Sequence, residues 1–238
     1  MLENAVILMG GRGTRLENIT DIIPKALIDV RGRALTEHVI DILRPSGIKT
    51  VYMSIGYLAD KVIEHFGAEE QSMQRWGFQI KYLKEEQPLG TGGWMRDLRA
   101  LRFIDNFIVV NGDNLFDINF NEMCESHRRN NAIVTIALKP VEDVESRGVV
   151  KMAGEKIVKF VEKPKKENAP FNLISSGYYI FSNQVFDYVP LKTRIMLETD
   201  LFPMLAEMGG LFGWISDKQW FDTGTLERWK EVNEKWRV

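Results

Sequence analysis

The chain has 238 residues, with 31 Lys and Arg against 33 Asp and Glu, for a formal net charge of -2. Hydrophobic residues make up 45% and charged residues 27%, which excludes wholesale disorder and suits one α/β domain, or two small ones, with a real core. The near-neutral balance argues against a nucleic-acid protein, which needs a basic face, but not against small anionic substrates. The single cysteine, Cys124, excludes an intramolecular disulfide or a multi-cysteine zinc site and fits a reducing, cytoplasmic compartment. No apolar run approaches the roughly 20 residues of a membrane span, and Met1 to Leu8 lacks the marks of a signal peptide.

The first elements alternate between strand and helix. Ala5 to Met9 is a continuous apolar run ending in Gly10-Gly11, as a buried parallel strand would. A helix follows near Leu35 to Leu43, with Val39, Ile40 and Leu43 on one face and Gly47 just past its end. Val51 to Ile55 reads as a strand, Leu58 to Phe66 as a helix, Phe78 to Leu83 as a strand and Gly93 to Leu101 as a helix. Phe107 to Val110 is a strand running into Asn111-Gly112-Asp113. Such alternation predicts a Rossmann-like, mixed but mostly parallel sheet with helices on both faces, and ligands at the carboxyl ends of its strands.

After about Ala132 the pattern changes. Ala132 to Leu138, Gly148 to Met152, Ile157 to Phe160 and Ser176 to Phe181 read as strands with few helices between them, a mixed or antiparallel extension. A helix is expected near Glu198 to Met208, a strand at Leu211 to Ile215 and a last helix at Thr225 to Trp236, capped by Thr225. Lys163 to Pro170 is the most loop-like stretch. The expected organisation is one domain over 1–238, with two halves that meet between about 131 and 132.

The chemistry starts at Gly10-Gly11-Arg12-Gly13-Thr14-Arg15, with Pro24-Lys25 behind it. A glycine turn after the first strand lets backbone N–H groups approach a phosphate, and Arg15 and Lys25 add cations. Without Gly-Lys-Ser/Thr it is not a Walker A loop, and without a third glycine it is not the dinucleotide fingerprint. A dehydrogenase is disfavoured further because Ser54-Ile55-Gly56, not an acidic residue, closes the second strand.

Gly10 to Leu16 with Pro24-Lys25 resembles the opening signature of the sugar-1-phosphate nucleotidyltransferases. The resemblance continues through Pro88-Leu89-Gly90-Thr91-Gly92-Gly93, Asn111-Gly112-Asp113, Val161-Glu162-Lys163-Pro164 and Trp220-Phe221-Asp222-Thr223-Gly224-Thr225. These blocks stand in the family's order and span nearly the whole chain, and the resemblance implies a nucleotide half to about 131, a sugar-phosphate half from about 132 and no C-terminal β-helix domain. The resemblance implies a nucleotide-diphospho-sugar transferase fold and a magnesium-dependent (Mg2+) reaction of an NTP with a sugar 1-phosphate, giving an NDP-sugar and pyrophosphate. It assigns the metal to Asp113 and Asp222 and catalysis to Arg15, Lys25, Asp113, Lys163 and Asp222. Nucleotide binding falls to Leu8, Gly10, Gly11, Gly13, Thr14, Arg15, Glu85, Pro88, Gly90, Thr91, Gly92 and Gly112. Sugar-phosphate binding falls to Asn111, Gly148, Glu162, Lys163, Ser176 and Gly177, with Glu198 and Asp200 as weaker sugar or helix-start candidates. Neither a nucleic acid nor a membrane is implied as a partner, and the family leaves room for a homo-oligomer.

Glu85, just before the glycine turn, is expected in the base pocket. A carboxylate accepts from both N1–H and N2–H₂ of guanine, whereas a pyrimidine's lone N–H between carbonyls suits an amide better. The short form with Leu-Gly-Thr-Gly-Gly looks most like the mannose and manno-heptose 1-phosphate guanylyltransferases. GTP with such a sugar is therefore the first expectation, and UTP or dTTP with glucose 1-phosphate the alternative. A non-catalytic regulatory subunit of the same fold would be expected to lose site charges that this chain keeps. Departures from the pattern are Asn18 and Ala26 where prolines are usual, and Ser175 where an Asn usually helps to bind the sugar. Trp94, Trp214, Trp229 and Trp236 are expected to pack, and His38, His65 and His127 receive no role.

Overall fold

The computed structural model describes residues 2–16, 19–99, 105–165 and 171–237. The departure at Asn18, the expected helix end at Leu101 and most of the loop before Pro170 lie outside them. The strands are β1 (Asn4–Leu8), β2 (Asp29–Val30), β3 (Arg33–Ala34), β4 (Thr50–Ile55), β5 (Gln79–Lys84), β6 (Phe107–Asn111), β7 (Asn114–Phe116), β8 (Val134–Pro140), β9 (Val149–Ala153), β10 (Lys156–Val161), β11 (Leu173–Phe181), β12 (Leu211–Ile215) and β13 (Trp220–Asp222). The α-helices are α1 (Ile19–Ile22), α2 (Leu35–Leu43), α3 (Ala59–Phe66), α4 (Ser72–Trp76), α5 (Met95–Arg99), α6 (Phe120–Arg129), α7 (Phe202–Glu207) and α8 (Leu226–Lys235). The fold is α/β, and the chain divides into two compact units that are discontinuous in sequence. The expected halves, before and after about residue 131, follow pattern along the chain; grouping by contact is a different partition.

Unit 1 comprises Met1–Pro88, Val109–Ile118 and Lys218–Val238. Its sheet runs β5-β4-β1-β6, with β1 parallel to β4 and β4 parallel to β5. Ala5, Val6 and Ile7 are all buried, which is why β1 reads as a continuous apolar run rather than an alternation. Helix α2 buries Leu35, Val39, Ile40 and Leu43 at helical spacing, and a 3₁₀ turn, Arg44–Ser46, separates it from Gly47, whose left-handed φ of 75° ends the turn. The antiparallel ribbon of β7 and β13 sets Asp222 opposite Asn114.

Unit 2 comprises Leu89–Ile108 and Asn119–Asp217. Its sheet runs β11-β8-β12-β10-β9; β8 and β12 are parallel, and β11–β8, β10–β12 and β10–β9 are antiparallel. Its core is aromatic, with Trp94 and Phe107 at 6.1 Å, Phe107 and Phe181 at 5.7 Å and Tyr179 and Phe202 at 5.3 Å between ring centroids. Helix α6, which the sequence reading passed over, is capped by Asn119, whose Oδ1 accepts from the N–H groups of Asn121 and Glu122. The expected helix near Glu198 to Met208 opens as a π-helical turn, Leu197–Leu201, before α7. Pro203, in the first turn of α7, has no N–H to bond back into that turn, and wide turns of this kind recur at functional sites.

Candidate active site

The glycine loop of unit 1 leaves the carboxyl end of β1. Gly11, Thr14 and Arg15 are exposed, and Gly13 is left-handed at φ 67°. A Cβ on Gly13 would stand 3.1 Å from Thr20 Cγ2 and 3.2 Å from Lys25 Cβ, so the loop closes over Lys25 only because residue 13 has no side chain. Thr20 Oγ1 donates to Gly13 O at 3.0 Å and pins the turn. Leu8 O accepts from Gly112 N–H at 2.9 Å, and a Cβ on Gly112 would lie 2.9 Å from Met9 Cγ. Gly112 is thus the residue that lets the segment carrying Asp113 lie against β1.

Lys25 is 9% exposed, and its Nζ meets Asp113 Oδ2 at 2.5 Å. The Asp113 side chain is 40% exposed, so its carboxylate is anchored at one oxygen while still reaching solvent. Thr223 donates its backbone N–H (3.1 Å) and its hydroxyl (2.9 Å) to Asp113 O. That clasp, with the β7–β13 register, brings together two aspartates that are distant in sequence. Asp222 Oδ1 accepts from Gly224 N–H at 2.8 Å, and Arg228 Nη1 stands 3.2 Å from Oδ1 and 2.9 Å from Oδ2. A Cβ on Gly224 would come within 2.8 Å of Asp222 Oδ1 and 3.3 Å of Arg15 Nη2, so the Arg15 guanidinium lies over Gly224, beside that carboxylate. Among the described residues no group of three or more His, Cys, Asp or Glu could hold a metal. Two carboxylates are nonetheless what magnesium asks of a protein when phosphates and water complete its shell. The donor set of Asp113 and Asp222 fits that ion.

Glu85 follows β5. Ser54 Oγ donates to its Oε1 at 2.9 Å, and the carboxylate lies 3.6 to 3.8 Å from the place a Cβ on Gly10 would take. Ser54, the residue that departs from the dinucleotide pattern, therefore orients Glu85 over the glycine loop.

In unit 2 the glycines of Pro88 to Gly93 have a packing reason of their own. A Cβ on Gly90 would lie 2.3 Å from Ile195 O, one on Gly92 2.7 Å from Ile195 Cγ2 and one on Gly93 2.2 Å from Leu89 Cβ. The Thr91 hydroxyl donates to Glu198 Oε2 at 2.6 Å and accepts from Leu197 N–H at 2.9 Å, so it is tied to the π-helical turn. Burial raises the Glu198 carboxyl above the ordinary range, against the lowering effect of the Thr91 hydrogen bond. Asp200 accepts from Met196 N–H at 2.7 Å and pairs with Lys192 at 2.7 Å, which gives it the helix-start role.

Gly148 lies against Phe160 and Glu162, for a Cβ there would be 2.5 Å from Phe160 Cζ and 3.0 Å from Glu162 Oε2. Lys163 is left-handed at φ 45°, an uncommon conformation for a residue with a side chain. Its N–H donates to Arg147 O at 3.1 Å, and its ammonium, 61% exposed, stands 3.0 Å from Glu162 Oε1. Gly177 takes φ 84° where the β11–β8 register shifts between Ser175 and Tyr179. Ser176 is buried and its hydroxyl donates to Ala137 O at 2.7 Å. Asn111 ends β6 and is half-buried. Lys165 is exposed in the same loop, and Lys166 lies outside the described residues.

The residues given no role have structural partners. His38 bonds Val30 O, His65 bonds Glu37 and His127 bonds Thr135. Trp94 and Trp236 are buried, and Trp229 Nε1 donates to Asp29 O.

Residues 4–237 match the Nucleotidyl transferase family, and the chain belongs to it. It is 34% identical over 244 residues to the UTP--glucose-1-phosphate uridylyltransferase of Synechocystis sp., covering 96% of this chain and 62% of that protein. It is 33% identical over 227 residues to the mannose-1-phosphate guanylyltransferase of Mycobacterium tuberculosis, covering 94% of this chain and 62% of that one. The chain thus spans about three-fifths of the length of these relatives. HddC from Yersinia pseudotuberculosis, solved with GMP-PN, superposes with a TM-score of 0.81 at 25% identity, over 99% of this chain and 100% of that one. No helix among the described residues is long and apolar enough to cross a membrane.

Proposed function

We propose that the chain transfers a nucleotidyl group from an NTP to a sugar 1-phosphate, releasing pyrophosphate. The observation that carries this reading is Asp222 at the end of β13, paired with Asn114 next to Asp113, which Thr223 clasps, with Lys25 and Arg15 beside the two carboxylates. A phosphate oxygen of the sugar 1-phosphate attacks the α-phosphorus. One P–O bond forms there, the bond to the β-phosphate oxygen breaks, and pyrophosphate carries the electron pair away. Both reactants are anions and no protein nucleophile is needed, so positioning and charge neutralisation supply most of the rate.

Asp113 and Asp222 would hold magnesium, which supplies neutralisation of the phosphate charge when bound. Arg15, exposed beside the glycine loop, faces the departing phosphates, and the backbone of Gly10 to Gly13 cradles them. In unit 2, Lys163 neutralises the sugar phosphate, while Glu162 and Glu198 accept sugar hydroxyls near Gly148.

GTP with mannose or manno-heptose 1-phosphate is the favoured pair. Its support is the Ser54-oriented Glu85 carboxylate, together with the likeness to a guanylyltransferase and to a protein solved with GMP-PN. UTP or dTTP with glucose 1-phosphate is the second reading, favoured by the likeness to a uridylyltransferase. Pyrophosphate release across a grid of NTPs and sugar 1-phosphates, with and without magnesium, tests all of this. Turnover with one NTP and one sugar phosphate supports the reading, and no release from any pair overturns it.

A further inference from the structure

Arg228 belongs to no motif block, yet it makes an ion pair with Asp222. It sits in the first turn of α8, where its backbone N–H donates to the cap oxygen of Thr225 at 3.4 Å. From there Nη1 spans both Asp222 oxygens, at 3.2 and 2.9 Å. Gly224 N–H already fixes Oδ1 at 2.8 Å, a neutral contact sufficient to orient the carboxylate. What Arg228 adds is charge. Asp113 is matched in the same way by Lys25 at 2.5 Å. The two carboxylates thus face Lys25, Arg228 and, over Gly224, Arg15, and an arriving divalent ion meets no net negative charge.

We propose that Arg228 competes with a divalent cation for Asp222 and so makes metal binding depend on the nucleotide. This rests on the reading of Asp113 and Asp222 as the metal carboxylates. A polyphosphate changes the balance in two ways: it adds negative charge for the metal, and it offers a guanidinium a partner whose geometry suits it as well as a carboxylate does. Arg228 is 27% exposed on its side chain, so it can move without leaving a buried cation unpaired. The empty site would then hold metal weakly, and the nucleotide and metal would bind together.

Manganese binding tests this on the whole chain without sugar phosphate: alone by loss of the free Mn2+ electron paramagnetic resonance signal, and with GTP by equilibrium dialysis against GTP-matched buffer, because GTP itself binds Mn2+. Arg228→Met keeps the stem and removes the charge. It is expected to bind Mn2+ alone about tenfold more tightly than wild type, the low end of what changing a metal ligand's partner typically does. With saturating GTP the difference should shrink, and Arg228→Lys should restore weak binding to the empty site. Arg228→Gln serves as the second neutral variant if Arg228→Met does not fold. A purely structural arginine would lose stability on removal and would not tighten metal. Equal Mn2+ binding by wild type and the folded neutral variant, whether high or nil, overturns the proposal, as does weaker binding. Asp222→Asn separates the two layers: if it binds Mn2+ in the presence of GTP as wild type does, the metal assignment itself has failed.

Discussion

In unit 1 each candidate carboxylate sits against a cation, Asp113 against Lys25 and Asp222 against Arg228, whereas unit 2 brings two acids, Glu162 and Glu198, together with one largely exposed lysine. The electrostatics differ accordingly. With Arg15 beside Asp222 as well, the unit 1 cluster leaves no net negative charge and is part-buried, which suits groups that must hold position until a highly charged anion arrives. Unit 2 has an excess of acceptors, and Glu198 is raised by burial with Glu162 adding a smaller push in the same direction. Acceptors in excess suit a polyhydroxylated ligand that carries one phosphate. The comparison separates the chemistry of the phosphates from recognition of the sugar.

The comparison breaks if unit 1 carboxylates are dispensable. Asp113→Asn and Asp222→Asn are each expected to lower kcat by about 10²–10³, the scale of removing one charge-stabilising group from a transition state. Pyrophosphate release at limiting and saturating magnesium checks this, beside a thermal melt to establish folding. Turnover near wild type at limiting magnesium would remove the residue from the metal.

Next in size come the cations. Lys163→Ala should raise KM for the sugar 1-phosphate by roughly ten- to a hundredfold, the scale of a charged hydrogen bond, and leave KM for the NTP unchanged. Arg15→Ala should instead act on kcat, because the charge it faces grows as pyrophosphate departs. Steady-state kinetics with each substrate varied in turn checks both. If Arg15→Ala raised only the sugar-phosphate KM, it would belong with the unit 2 groups and the division would fail.

How far these differences were legible in the chain depends on distance along it. Helix α2 and strand β12 occur with the expected bounds, because each is set by local apolar periodicity. Asp113 and Asp222 were legible as motif residues, but their adjacency depends on ribbon register and on the Thr223 clasp to Asp113 O, neither of which local pattern encodes. Arg228 was missed for the same reason in miniature. One helical turn past a Thr cap, it looks like any solvated arginine until the cap turns it back onto Asp222. Helix α6 did carry a signal, Asn119 followed three residues later by Glu122, a capping pattern hidden by its polar composition. Gly90 and Gly92 show the reverse case: both are expected at the nucleotide, and the structure gives packing on Ile195 as a sufficient cause for a glycine at each.

A smaller effect sharpens the base side of unit 1. Glu85→Gln is expected to narrow the preference for GTP over UTP or dTTP by about tenfold, since the amide accepts at one end and repels at the other. Ser54 Oγ can still donate to the amide oxygen, so stability should hardly change. The kcat/KM values for the three nucleotides decide it. A wild type that prefers a pyrimidine nucleotide ends the guanine reading, and unchanged selectivity in the variant removes Glu85 from the base pocket.

The smallest effect concerns Glu198 and has opposite signs for stability and for binding. Burial is the largest influence on its carboxyl and raises it, with the Thr91 hydrogen bond opposing. A carboxyl whose folded value lies above its unfolded one holds its proton more tightly in the folded protein. Its favourable contribution is therefore present on the acid side of the ordinary carboxyl range and lost as pH rises through the raised folded value. Glu198→Gln cannot ionise and suffers no such loss, while its amide oxygen can still accept from Thr91. At neutral pH the variant should melt on the order of 2 °C higher than wild type, and the difference should shrink as the pH falls through the carboxyl range. The same substitution exchanges a carboxylate acceptor for an amide, so KM for the sugar 1-phosphate should rise a few-fold. Melting curves at several pH values, paired with KM at neutral pH, measure both. A variant less stable than wild type at neutral pH would mean that the Thr91 hydroxyl, the Glu198 backbone N–H and the Lys163 charge together outweigh burial. An unchanged KM would leave Glu198 as a bracket for the Pro88 to Gly93 turn and assign sugar recognition in unit 2 to Glu162.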